Sequence, residues 1–399
     1  MTGWARRIAA ATPAYRDRTV DALRALAIVG VVLGHWLVSG TVSDPDQPAR
    51  LFGASPLSHL PAMAPVTWLL QTLAPFFFAG GYAAARSLRH RGPNTVSWLT
   101  SRGVRLLRPV VVLAAIWGPG LLLLTAVGAP GDTRHLVWSL VSHPMWFLLV
   151  YLVLTALTPA LLAAWRRVGW WSLLPPILLI AGLDAVRGNG IPTWLGLLAV
   201  PVGWAVPYLA GIAFAEGRLV RWHGAVLLAL GVGGGAGLIA LGYPASAVGV
   251  PGDHWSNLDP PSLVALALGA TQVGLFLLVR PWLARLLRRP LAWAPVAALN
   301  LVAMTVFCWH QTALLVVSFG GLVAGRVPGL LDEPGAAWVG HRLAWLPVFA
   351  VVLVLLVALF HRFEHPRTTR PVPAPVTPPV PAVAVGHSGQ AAATDDERV

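Results

Sequence analysis

Lysine is missing from this chain, cysteine occurs once, and charge of either sign is scarce. Only 11% of the 399 residues are charged, where a soluble domain carries about 25%. A water-facing surface of this size cannot be built from so few charges, so lipid must cover most of it. The single Cys308 excludes an intramolecular disulfide framework and a cysteine-rich zinc site. No H-E-x-x-H or comparable ligand cluster occurs, so no metal is expected. What fills the chain instead is apolar. Hydrophobic residues make up 56% of it, the mean hydropathy is +0.70, and 19 Trp residues suit a headgroup boundary.

The net charge of +13 comes from Arg alone. A nucleic-acid binder can share that balance. Here the Arg residues fall between apolar runs rather than in one patch, so membrane topology explains them and no nucleic-acid partner is expected. Arg in place of Lys, with abundant Ala, Gly and Pro, suggests a GC-rich bacterial genome. The N-terminus is basic, but no cleavage site closely follows the first apolar run, which reads as a retained helix.

Ten runs reach the roughly 20 apolar residues that a helical span needs: 20–39, 64–85, 104–127, 144–165, 170–186, 193–215, 224–242, 262–280, 296–323 and 343–362. The fifth is short and holds Pro175 and Pro176, and Pro295 and the Gly320–Gly321 pair blur the ends of the ninth. With the N-terminus inside, 22 Arg fall in inner segments and five (Arg50, Arg134, Arg187, Arg326, Arg342) in outer ones. One missed helix would scramble that split, which follows the positive-inside rule. The expected fold is all-α, a polytopic transmembrane bundle of about ten spans with both termini cytoplasmic, multi-pass in the inner (cytoplasmic) membrane. Residues 1–19 form a basic cytoplasmic segment and 20–366 the membrane domain. Residues 367–399 are a Pro-rich tail expected to be disordered. The outer loop 243–261 reads equally as a lid, an acceptor site or a solvated connector. No internal repeat is visible.

Ionisable groups inside a span are costly, and the first span carries three. Asp21 and Arg24 are three residues apart, share a face and partly neutralise each other. Arg24 and His35 are eleven apart, which at 100° per residue puts them on one face, about 16 Å apart along the axis. A neutral imidazole can take the proton of an attacking hydroxyl, and an Arg can hold phosphates. Equally, Arg24 can snorkel to the headgroups while His35 caps the helix near Ser39. Spacing alone leaves both readings open.

Six segments narrow the choice. DALRALAIVGVVLGH resembles the opening of the acyltransferase 3 family, the membrane acyltransferases of carbohydrates and other acceptors, whose Arg and His have ten residues between them as Arg24 and His35 do. APFFFAGGY (74–82) resembles the family's Phe-Phe…Ser-Gly-Phe stretch, SRGVRLLRP (101–109) its Arg-x-x-Arg segment, and HPMWFLLVYL (143–152) its Trp-Phe-Leu segment. MTVFCWHQ (304–311) is similar to its late Tyr-Leu-Trp-His stretch, and FEHP (363–366) to its closing Glu-x-Pro. The chain departs from the pattern at Ala79, where the family has Ser, and after His310, where Gln311 and Thr312 stand in place of a Pro two positions on.

The resemblance implies transfer of an acyl group, acetyl above all, from cytoplasmic acyl-CoA as co-substrate to a hydroxyl of an envelope glycan, exopolysaccharide or glycosylated metabolite. It implies no bound cofactor. His35 would be the general base, Arg24 would support donor or site geometry, and Asp21 would orient Arg24. Arg102, Arg105 and Arg108, three apart, form one cationic stripe on a helix, for donor phosphates or as ordinary positive-inside charge. Glu364 reads as structural, paired with a cytoplasmic Arg. His310 reads first as a satisfied core histidine and second as a polar group of the pocket. Trp146 belongs to the interfacial belt or lines an acyl tunnel, and His143 lies at the surface. Asp253 and His254 stand too isolated to assign. A transporter or flippase for a glycan or lipid is the competing reading, since spans and intramembrane charges would serve it equally.

Overall fold

The structure, a computed structural model, describes residues 2–90, 94–253, 255–325 and 327–364. His254 and the tail from residue 365 lie outside the described residues. Among the described residues, ten helical stretches are long and apolar enough to cross a membrane, and the only sheet is one two-stranded hairpin. The protein is an all-α, multi-pass membrane bundle.

Helix α1 (Thr2–Ala11) precedes the first span, in a segment expected only to be basic. It packs on a later helix, Pro290–Leu301: Ala5 is fully buried, Ile8 and Ala9 pack on the small core that holds Trp293, and the Trp293 indole donates to Thr12 Oγ1 at 2.8 Å. Helix α2 (Arg18–Val38) begins at an Asp cap. Asp17 accepts from the Thr19 amide at 2.9 Å, and Arg280 donates to its carboxylate at 3.0 Å. Burial opposes the charged carboxylate, but the Thr19 hydrogen bonds and the Arg280 charge outweigh it and hold the Asp17 pKa below its usual value. Past Val38 the chain turns into the antiparallel hairpin β1 (Gly40–Ser43) and β2 (Leu51–Ala54), with Gly40 opposite Ala54.

The second crossing is broken. After the short α3 (Pro56–His59), α4 (Ala64–Leu70) stops, Gln71 and Thr72 are not helical, and α5 (Leu73–His90) resumes. Freed backbone groups at membrane depth must find partners inside the protein. Gln272 donates its amide to the Trp68 and Gln71 carbonyls at 3.1 and 2.8 Å, and Thr72 Oγ1 donates to the Ala27 carbonyl at 2.7 Å. The break lies directly on α2 because Gly30 and Gly34 are there. A Cβ on Gly30 would stand 2.5 Å from Thr72 Oγ1.

Helix α6 (Thr95–Ala126) crosses with mostly exposed, lipid-facing residues. Helix α7 (Gly131–Ser142) follows, which the apolar runs do not predict, and the predicted span 144–165 is two helices, α8 (Met145–Ala156) and α9 (Thr158–Val168). Helix α10 (Leu174–Val186) returns, as expected for 170–186, with Pro175 and Pro176 in its first turn, where a missing amide costs nothing. Helix α11 (Thr193–Ala215) packs so closely on α5 that a Cβ on Gly81 or Gly211 would run into the backbone of the other helix. Helices α12 (Arg221–Ala240) and α13 (Leu263–Leu286) pair next.

The predicted span 296–323 is two helices, α14 (Pro290–Leu301) and α15 (Ala303–Ala324), divided at Val302. The final α16 (Trp338–Glu364) explains the division. The Glu364 carboxylate accepts from the Met304 and Thr305 amides at 3.3 and 3.0 Å and from Thr305 Oγ1 at 2.8 Å. Glu364 was expected to pair with an Arg. Instead it caps the start of α15, where exposed amides favour a carboxylate. Helices α2, α5, α11 and α15 form the interior, and α6, α12 and α16 the lipid-facing rim.

Candidate active site

Three cavities open along α2 among the described residues, one at each end and an apolar one beside its middle at Leu26, Val29 and Leu33; the two at the ends carry the ionisable groups. The first, of about 760 Å³, lies toward the Asp17 end and is lined by Asp17, Asp21, Arg24, Arg86, Arg102, Arg105 and Glu364 with Phe76, Tyr82 and Tyr151. The second, of about 460 Å³, lies toward the Ser39 end and is lined by His35, Gln71, His143, Trp146, Ser256, Asp259 and Phe307. Phe147 lines both. Its ring stands 4.9 Å from Phe76 in the first cavity and 5.4 Å from Phe307 in the second, centroid to centroid. The stripe read from the sequence as one surface is thus two chambers divided by an aromatic wall.

In the first chamber Arg24 is fixed from two helices. Its Nε donates to Asn300 Oδ1 at 2.5 Å, and Nη2 lies 3.6 Å from Asp21. Asn300 in turn donates to the Asp21 and Val296 carbonyls at 2.8 and 2.9 Å. Asp21 also pairs with Arg16. Asn300 went unread in the sequence, although an amide in the apolar stretch before MTVFCWH is itself a signal. Arg102 stacks over Trp98 at 5.0 Å, and its Nη1 is buried without an acceptor among the described residues. Arg105 joins it on the wall, but Arg108 does not line the cavity and is exposed. A cavity with several guanidinium groups, one not used up internally, can bind an anion such as a phosphate.

In the second chamber His35 meets His310. His35 Nδ1 and His310 Nε2 are 2.7 Å apart, and His310 Nδ1 lies 2.6 Å from the Phe307 carbonyl oxygen. A carbonyl only accepts, so His310 Nδ1 carries the proton. In a neutral pair, His310 Nε2 then accepts from His35 Nδ1, and His35 Nε2 keeps its lone pair. This chain of bonds fixes the tautomer that a general base requires. His310 is fully buried. It is a satisfied core histidine, and what satisfies it on one side is His35.

The end of α2 that carries His35 is held by Arg342, fully buried, which donates to the Trp36 and Ser39 carbonyls at 2.7 and 2.6 Å and to Gly329 O at 3.1 Å. The sequence counts Arg342 only as an outer charge, though an Arg on the Arg-poor side was a usable signal. Trp146, which the sequence assigns to the interfacial belt or to a tunnel wall, is half-buried on the cavity wall, and His143 is exposed at the same chamber. The 243–261 loop contributes Val248, Gly249, Ser256, Leu258 and Asp259 to that wall. Arg187 ties it down by donating to Ser256 O at 2.7 Å and Pro260 O at 3.1 Å while lying 3.1 Å from Asp184. Burial and the Asp184 carboxylate push the Tyr243 phenol up to about 12, so it stays protonated and donates to Asp184 at 3.2 Å.

A helical membrane bundle with a buried imidazole pair beside an arginine-lined cavity places the chain among polytopic membrane proteins with a built polar site. Residues 17–362 match the acyltransferase 3 family, described as an acyltransferase domain. The match covers nearly the whole chain, which belongs to that family and is a membrane acyltransferase. Comparison with curated proteins and with solved structures returns no match.

Proposed function

We propose that this acyltransferase moves an acyl group, acetyl by preference, from acyl-CoA bound in the Arg24 chamber to a hydroxyl presented in the His35 chamber. The observation that carries this reading is the pair of chambers on one helix, guanidinium groups in one and an imidazole base in the other, with Phe147 between them. Arg24, Arg102 and Arg105 hold the donor's phosphates, and Asp21 and Asn300 orient Arg24. The pantetheine arm runs past Phe147 and brings the thioester to His35. His35 Nε2 takes the acceptor's proton as the hydroxyl oxygen attacks, and His310 keeps that nitrogen free. With the Arg-rich side cytoplasmic, both termini lie on the cytoplasmic side of the cell membrane and the His35 chamber opens outward, where an envelope glycan, exopolysaccharide or glycosylated metabolite supplies the hydroxyl. Family membership favours this enzyme over a transporter for a glycan or lipid.

The test compares wild type with His35→Ala in detergent-solubilised protein given acetyl-CoA and in cells scored for acetylated envelope sugars. A positioned general base contributes about 10²–10⁴ in rate, so transfer falls by that factor while the protein still purifies as a monodisperse species. Undiminished transfer by the variant would sink the assignment of His35.

A further inference from the structure

Base and donor site leave one charge without a partner. When the hydroxyl attacks a thioester, the carbonyl oxygen becomes an oxyanion, and stabilising it is commonly the largest catalytic contribution. From the break in the second crossing we infer that Gln71, with the first-turn amides of α5, forms the oxyanion hole; this rests on the acyl-transfer reading above.

Gln71 is 7% exposed, and its amide nitrogen has no hydrogen-bond partner among the described residues. Among the described residues it is the one unpartnered buried side-chain nitrogen or oxygen on the wall of the His35 chamber. Burying an amide donor without an acceptor is costly and calls for an explanation. Of the other polar groups there, Thr67 Oγ1 donates to Ala64 O at 2.5 Å, Thr72 Oγ1 donates to Ala27 O at 2.7 Å, and an ionised Asp259 only accepts. Ser39, His143, Trp146 and Ser256 keep donors, but none of these is a buried group left without a partner. The backbone of Gln71 is spent too, its amide on Thr67 O at 2.8 Å and its carbonyl on Gln272.

Position agrees with chemistry. Gly34, the residue before His35, would place a Cβ 3.5 Å from Leu70, so the Leu70–Thr72 break sits against the turn that carries the base. Immediately beyond, α5 starts at Leu73, which also lines the chamber. A helix leaves its first amides without intrahelical acceptors and presents a partial positive charge. Pro75 has no amide, so Leu73 and Ala74 supply those donors. In the addition step the acceptor oxygen bonds to the thioester carbon, its proton passes to His35 Nε2, and the C=O π pair moves onto the oxygen, which accepts from Gln71 Nε2 and the α5 amides. In collapse the C=O bond re-forms, the C–S bond breaks, and the CoA sulfur leaves with the proton from His35.

The experiment measures kcat and KM of full-length wild type, Gln71→Ala, Gln71→Glu and His35→Ala with acetyl-CoA, read by thiol release to water and by transfer to methyl glucoside. The expected result is a drop of about 100-fold or more in kcat for both Gln71 variants, with KM for acetyl-CoA and the pH profile of kcat retained. Gln71→Glu keeps the shape of the side chain and decides the matter if Gln71→Ala fails to fold. Unchanged kcat, or a rise in KM alone, overturns the oxyanion role while leaving His35 in place. Full activity in His35→Ala, or none in wild type, overturns the underlying acyl-transfer reading instead.

Discussion

His310 shows how much a single long-range contact changes at the residue scale. Alone it is a buried histidine bonded to the carbonyl of Phe307, one turn earlier. Set against His35 it becomes the acceptor that holds the proton on Nδ1 of the proposed base. This positioning role makes a graded prediction. His310→Ala leaves His35 free to take the wrong tautomer, and kcat falls by about 10² or more. His310→Gln, whose amide can still accept at that distance, retains a larger share. In both variants KM for acyl-CoA should stay near wild type, because the Arg24 chamber is not touched. Steady-state kinetics of the three proteins separates this from a general loss of fold, which would lower the active fraction without ordering the variants.

At the scale of elements, the functional features sit where helices fail. The second crossing breaks at Gln71 and Thr72, the predicted ninth breaks at Val302, and α8 begins at a Pro144 turn that delivers Trp146 to the His35 chamber and Phe147 to the wall between the chambers. Each break is satisfied from another helix: by Gln272 on α13 for the first, by Glu364 on α16 for the second. Such repairs are what permit irregular backbone at membrane depth. Phe147 is the most exposed to test, since its ring packs against Phe76, Phe77 and Phe307 and separates the chambers. Phe147→Ala removes the partition and lets water follow the thioester. Thiol release without acceptor should rise several-fold relative to acyl transfer, measured as the ratio of free CoA to acylated product. An unchanged ratio would mean that the ring does not divide the path.

For the whole molecule, the open quantity is which side faces the cytoplasm, since helices crossing a bilayer look alike from either side. The Arg asymmetry supplies the expectation. Cys308 is buried, and Cys308→Ala gives a background without thiols. In it, Asp46→Cys, on the hairpin loop, should react with a membrane-impermeant maleimide on intact cells. Arg218→Cys, between α11 and α12, should react only after permeabilisation. The reverse pattern would invert the molecule and with it the sides assigned to donor and acceptor.

The ten apolar runs, the Asp21–Arg24–His35 stripe and the family were legible from residues alone, because hydropathy and the 3.6-residue period are local properties. Local patterns also put Arg102 and Arg105 together on one face of a helix. They could not show that Arg108, three residues on, leaves the cavity. Nor could they pair residues 275 or 276 positions apart, as His35 with His310 and Arg24 with Asn300. They could not say that Glu364 would cap a helix instead of meeting an Arg. Period tells which face a side chain takes and nothing about which helix comes to lie against it. That is set by packing: glycines that let α5 close on α11 and the Gln71 break close on α2. The sequence by itself determined a membrane bundle with a cation and an imidazole on its first helix. Only the tertiary structure decided that they serve separate chambers and that a buried partner holds the imidazole, because both depend on distances between helices that no single helix encodes.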